Sequence, residues 1–217
     1  GNYEYTPMNR AWNAVQIEGE RSWLSVLHQA QPGHGPLTQG QLDKLALGAA
    51  IRFVREHPGL TLRRDVVKFF NFWGLERELV AGAAQGHYGP VRPAALLALT
   101  GLIFGSYAAA VILGVFGAVV LPPADRRPHA LLLLVIAFLC GMHTLSFGHS
   151  RYHLPLMPLV LIFAARALLG LRAIWDRRRG WAFGLACAIS AVLVAGWVVE
   201  VAVADGQRFL GAIRSLA

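Results

Sequence analysis

Four stretches of the chain are almost uninterruptedly apolar, and short polar joints separate them. The apolar runs cover residues 94–121, 130–147, 154–171 and 181–203, and the joints between them read PPADRRPH, GHSRYH and RAIWDRRRG. A helix needs about 20 mostly apolar residues to cross a bilayer. A single run of that length could be a buried core helix, but four in series with charged turns between them predict membrane spans. None has the layout of a signal peptide, because the first lies about ninety residues into the chain. The fold expected is all-α: a polytopic membrane helical bundle of about four transmembrane helices. It follows an extracytoplasmic helical segment with juxtamembrane amphipathic helices, so the expected domains are 1–90 and 91–217.

Residues 1–90 are patterned differently. Apolar residues between Asn9 and Ala30 recur at helical spacing, and QPGHGP breaks the pattern. Thr38 and Gln41 then have the spacing of a capping box. They open a helix with Leu42, Leu45, Ala46, Ala49 and Phe53 on one side, which Pro58-Gly59 is expected to stop. In TLRRDVVKFFNFWG, Leu62, Val66, Phe69, Phe70 and Trp73 form an apolar side, and Arg63, Arg64 and Lys68 are basic. That is the pattern of a helix lying in the membrane interface. A packed helix of a small extracytoplasmic domain is the other reading.

Composition agrees with a membrane protein. Of the 217 residues 55% are hydrophobic and 15% charged, against roughly 45–50% and 25% in soluble domains. Residues 1–90 hold nine Lys/Arg and eight Asp/Glu; residues 91–217 hold eleven and four. The arginines of the second half stand between apolar runs rather than in an aromatic-rich patch, which argues against nucleic acid as a partner. Eighteen arginines against two lysines, with many Ala and Gly, point to a GC-rich bacterial source. Cys140 and Cys187 both lie inside apolar runs, so no disulfide framework is implied. The chain opens with Gly1 in what reads as a loop, and a longer protein with further spans is expected upstream.

Charge also sets an orientation. Basic residues in short loops favour the cytoplasm, and Arg172, Arg177, Arg178 and Arg179 outweigh Asp176. Residues 172–180 are therefore expected inside, together with Arg126 and Arg127, in a bacterial plasma membrane. GHSRYHLP and residues 1–90 then fall outside. Within spans, Arg166 lies where it can snorkel to the inner face. Glu200 is near an outer end, and His143 is similarly placed. Gly101-x-x-x-Gly105, with Ala109 and Gly114 beyond, predicts close helix packing.

The outer joint is richer in hydrogen-bonding groups than a turn requires. His149 and His153 have the spacing of two metal ligands on one helical face, but the glutamate of HExxH is missing and Pro155 disfavours a regular helix. No metal or other cofactor is expected from these residues, although the sequence leaves a divalent cation open. There is no Gly-x-Ser-x-Gly elbow and no phosphate-binding glycine loop. Arg151, the one full positive charge of that joint, presents planar donors suited to phosphate oxygens, and Tyr152 adds a hydroxyl. An interfacial anchor uses the same two residue types, so both readings stand on residue type alone.

The run HSRYHLPLMPLVLIFAARAL resembles the Arg-Tyr-x-x-Pro-x-x-Pro element of bacterial membrane glycosyltransferases. These are polyprenyl-phosphate-sugar-dependent enzymes of the C-type superfamily, similar to protein O-mannosyltransferases and the lipid A aminoarabinose transferase. GNYEYTP resembles their Gly-Asn-containing outer loop, and LGAAIRFVREHPG followed by KFFNFWG resembles their juxtamembrane stretch. The resemblance implies the C-terminal part of an enzyme that moves a sugar from a polyprenyl-phosphate carrier to a lipid, protein or glycan hydroxyl. Arg151 would then face the lipid phosphate with Tyr152 and His149 or His153 assisting, while Asn2, Tyr3 and Tyr5 would line the sugar or acceptor site. The partners implied are membrane lipids, the polyprenyl-linked donor and the acceptor. In such enzymes the catalytic carboxylate lies in the first outer loop, which no segment here matches, and Glu4 has no support for that role. The fragment alone is therefore expected to be inactive. A transporter or flippase of lipid-linked glycans is the alternative from another class, and a membrane scaffold without chemistry is a third.

Overall fold

In a computed structural model of the chain, the described residues are 38–75, 80, 82–83, 86–89, 91–146 and 148–202. Every regular element among them is helical. They are α1 (Gln39–Glu56), α2 (Pro58–Phe72), α3 (Pro93–Val120), α4 (Arg126–Leu145), a 3-10 helix (Ser150–Leu156), α5 (Met157–Leu169), α6 (Leu171–Asp176) and α7 (Trp181–Glu200). Four helices are long and apolar enough to cross a membrane: α3, α4, the 3-10 helix continued by α5, and α7. They match the four apolar runs, and the chain is an all-α membrane protein by this criterion.

The residues cluster into two compact units. One takes in the described residues up to Phe72 together with Gly141–His149; the other holds the described residues of Trp73–Cys140 and those from Ser150 onward. The boundary between the two units falls after Phe72, and the end of α4 groups with the first unit. Side-chain contacts within that unit tie its two segments together. The Lys68 ammonium donates to the Leu145 carbonyl at 3.1 Å, and the Phe72 and His143 rings stack with centroids 5.7 Å apart.

In the first unit, α1 opens as its sequence predicts. The Thr38 N–H donates to Gln41 Oε1 at 2.9 Å and the Thr38 hydroxyl donates to the same oxygen at 3.0 Å, which occupies a donor that the helix start leaves unpaired. Leu45, Ala46, Ala50 and Phe53 are half-buried, and Ala49 is exposed instead. The helix ends where the residue before a proline is pushed from helical geometry. Pro58 and Gly59, however, do not form a loop: Pro58 starts α2, because a proline at the first helical position loses no hydrogen bond. Thr61 fastens this start, its hydroxyl donating to the His57 carbonyl at 2.9 Å.

The two sides of α2 are reversed from what a soluble helix would show. Thr61, Lys68 and Phe72 are its buried residues, whereas Leu62 is 67% exposed and Val66 is exposed too. Phe69 and Phe70 are half-buried and meet edge to face at 5.6 Å.

In the second unit, α3 packs against α5 and α7. Tyr107, Val111, Gly114, Gly117 and Val120 lie along one buried stripe of α3. A Cβ at Gly114 would stand 2.8 Å from Val160 Cγ1, and one at Gly117 would collide with the Phe163 carbonyl. The small residues that let these backbones approach are therefore Gly114 and Gly117. Gly101 and Gly105 face open space, so the spacing that suggested packing at 101–105 does not produce it there. Helix α7 turns Ala186, Ser190, Leu193 and Trp197 inward, at the four- and three-residue intervals of one helical face. Around Val120 and Leu121, Ala167, Ile174 and Ala186 close an apolar core. Arg177, in the basic joint, donates to the Val120 carbonyl at 2.7 Å, a cation placed on the carbonyl end of α3.

Candidate functional site

The joint that drew attention in the sequence folds as a 3-10 helix, Ser150–Leu156. Proline has no N–H to give at position 155 and disfavours an α-helical residue before it, which keeps the α-helix from starting before Met157. A 3-10 helix repeats every three residues, so side chains at i and i+3 lie above one another. His153 and Leu156 accordingly form the buried side, and Arg151 and Leu154 form the exposed one. Tyr152 lies between them, half-buried.

His153 is 1% exposed and lies among aromatic rings of the second unit. Its ring is nearly parallel to that of Trp73, 7° apart with centroids at 6.3 Å, and sits 4.8 Å from the Tyr107 ring. The Tyr107 hydroxyl donates to the Trp73 carbonyl at 3.1 Å. Trp197 Nε1–H donates to that same carbonyl at 2.7 Å, and the Tyr107 and Trp197 rings meet at 5.8 Å. Such packing fits an anchoring histidine. With it held, the helix carries Arg151 on its exposed side, and a guanidinium is a planar donor group suited to oxyanions.

The remaining sequence-predicted residues are distributed differently. His149 belongs to the first unit and is half-buried, while Arg151, Tyr152 and His153 belong to the second. Asn2, Tyr3 and Tyr5, with Glu4, lie outside the described residues. Among the described residues no group of three His, Cys, Asp or Glu side chains could hold a metal ion.

The ionisable residues of the spans have local explanations. Glu200 accepts the Leu75 N–H at 3.1 Å. Arg166 is half-buried in the last turn of α5, where a cation complements the helix carbonyl end.

Two cations of the first unit carry more structure than their sequence suggested. Lys68 is 8% exposed and lies 3.4 Å from Asp65 Oδ1. Burial pushes its ammonium below the ordinary 10.5, the Asp65 carboxylate pulls it back, and Arg64 adds to the lowering. Arg64 rests over the Phe53 ring, 5.5 Å from its centre, with Nε and Nη1 buried and lacking a hydrogen-bond acceptor. In the sequence these residues were simply the basic side of an amphipathic helix. The available signal was their four-residue spacing, which places them side by side with Asp65 as the one acid in TLRRDVVK.

No protein-family model matches the chain, and no curated protein or solved structure matches it.

Proposed function

We propose that the chain is part of an integral membrane glycosyltransferase that uses a polyprenyl-phosphate sugar as donor and works on the extracytoplasmic side. One observation carries this reading: Arg151 stands exposed on a short 3-10 helix whose opposite side is fastened by His153. Together with the Arg-Tyr-x-x-Pro-x-x-Pro resemblance, it supports a guanidinium presented to a lipid phosphate at the membrane boundary. The basic joint at residues 172–180 supports the orientation, since it favours the cytoplasm and leaves the 3-10 helix outside.

In the transfer, the acceptor hydroxyl oxygen bonds to the anomeric carbon as the bond from that carbon to the phosphate oxygen breaks. The hydroxyl proton passes to a carboxylate base, and the polyprenyl phosphate leaves with the electron pair and gains negative charge. Arg151 acts on that leaving group. A fixed cation beside growing charge lowers the barrier, because it needs no reorganisation during the reaction. Tyr152 supplies a second donor within the same turn.

The test is Arg151→Ala in the complete protein, reconstituted in liposomes with a radiolabelled polyprenyl-phosphate sugar and an acceptor extract. Transfer should fall at least tenfold while the unfolding midpoint stays near that of the parent. Unchanged turnover would remove the phosphate role. If labelled carrier crossed the bilayer with its sugar still attached, the transporter reading would replace this one.

A further inference from the structure

The reversed sidedness of α2 asks for an explanation. With about 3.6 residues per turn, Leu62 and Val66 share one side of α2, and Arg64 and Lys68 share nearly the opposite side. Soluble helices bury the first kind and expose the second. Here Leu62 and Val66 are turned outward, and Lys68 is buried. The arrangement is stable where the outside is itself apolar, as at the boundary of a bilayer. The apolar stripe Leu47, Ile51 and Val54 of α1 is exposed as well, which extends the outward apolar surface of the same unit.

On the inner side, among the described residues, two cations stand beside one carboxylate, Asp65, which pairs with Lys68. Lys68 already spends its donors on Asp65 and on the Leu145 carbonyl. Arg64 has two buried N–H-bearing nitrogens and no oxygen to receive them; the Phe53 ring gives it a cation–π contact, which supplies no hydrogen-bond acceptor. Buried donors of a charged group are rarely left this way unless something else completes them. Beside them Gly148 lies so close to the Lys68 carbonyl that a Cβ there would collide with it, so backbone packs directly on backbone at this point of α2.

We propose that the Arg64–Lys68 side of α2 binds the phosphate of a membrane lipid. The chemistry matches on three counts. Among the described residues the site carries two cations against Asp65, Arg64 Nε and Nη1 have no acceptor, and the helix shows an apolar side of the kind that lies at the depth where lipid phosphates are concentrated. A phosphate there would also favour the charged form of Lys68, against the effect of burial. The inference concerns the first unit alone and stands whether or not the protein transfers sugar.

The experiment uses the full chain purified in detergent. Its unfolding midpoint is followed while dioleoyl phosphatidylglycerol, uncharged dioleoylglycerol or inorganic phosphate is added, because a ligand that binds the native state raises that midpoint. Phosphatidylglycerol should raise it and dioleoylglycerol should not. The apparent affinity should fall at least tenfold in Arg64→Gln and in Lys68→Gln and stay within twofold in Arg63→Gln, whose parent side chain is exposed. Should Arg64→Gln not fold, Arg64→Lys keeps the charge with fewer donors and should weaken binding at least threefold. A rise produced equally well by inorganic phosphate would identify free phosphate as a sufficient ligand, and a rise limited to the lipid would identify the headgroup. No rise with either phosphate compound, or equal losses in Arg63→Gln and Arg64→Gln, overturns the proposal.

Discussion

The Glu200 carboxylate accepts the backbone N–H of Leu75 at 3.1 Å, across 125 residues of sequence. A carboxylate at the end of an apolar helix thus completes a backbone donor at the buried Leu75. Glu200→Leu should lower stability by about 1–3 kcal/mol, the cost of stranding a buried donor. Glu200→Gln keeps an acceptor oxygen and should lose less. Thermal unfolding in detergent, followed by tryptophan fluorescence, distinguishes the two; equal midpoints for Glu200→Leu and the parent would contradict the role.

Close approach of α3 and α5 depends on Gly117. Adding a methyl there drives Cβ into the Phe163 carbonyl, which the helices can relieve only by separating. Gly117→Ala should cost about 1–3 kcal/mol, as overpacking does, and Gly117→Val more. Gly101→Ala meets nothing within 4 Å and should be neutral or slightly stabilising, since alanine favours helix over glycine. The comparison is read from unfolding midpoints of the three variants.

His153 and Arg151, two residues apart, should separate folding from function. His153→Ala leaves a gap between Trp73 and Tyr107 and should cost about 2–4 kcal/mol, as large-to-small core changes do. Arg151→Ala should change stability by less than about 1 kcal/mol, as exposed substitutions do, while lowering transfer. A variant series showing the reverse, with Arg151→Ala unstable and His153→Ala silent, would reassign both residues.

Lys68 should make stability depend on pH. Its folded value lies below 10.5 because burial disfavours the ammonium, so between that lowered value and 10.5 the unfolded chain binds more protons. Stability contributed by this group therefore rises with pH across that window. Lys68→Met should flatten the rise. The difference between parent and variant midpoints, measured in phosphate-free detergent from pH 7 upward, isolates the effect; parallel curves would show that Lys68 does not titrate there.

The spans were legible in the sequence because length and apolarity are nearly sufficient to define them. Their edges were less so. Helix α4 begins at Arg126, four residues before its apolar run, because Asp125 Oδ1 accepts the Arg127 N–H at 3.0 Å and caps it. Pro58 read as a stop, since the same residue ends one helix and starts the next. Periodicity also gave α2 two faces without saying which one turns inward; that depends on partners such as Leu145 and His143, more than seventy residues away. The glycines show the same limit. Spacing marked Gly101, Gly105 and Gly114, but a close contact needs a second helix, and α5 stands opposite Gly114 and also opposite Gly117, which the spacing did not mark. In the candidate site, Arg151 and Tyr152 could be picked out by residue type. The anchoring of His153 could not, because Trp73 and Tyr107 reach it only through the fold.

Helix α4 has no buried residue along its length. Its neighbours α3 and α5 are specified by shape, one glycine against one carbonyl. By contrast, α4 makes specific contacts at His129 and towards its His143–Leu145 end, and between them any side chain that prefers hydrocarbon to water serves at most positions. Mutational drift should therefore scramble that stretch of α4 freely within the apolar alphabet while Gly114 and Gly117 stand still, leaving adjacent spans with very different records of change.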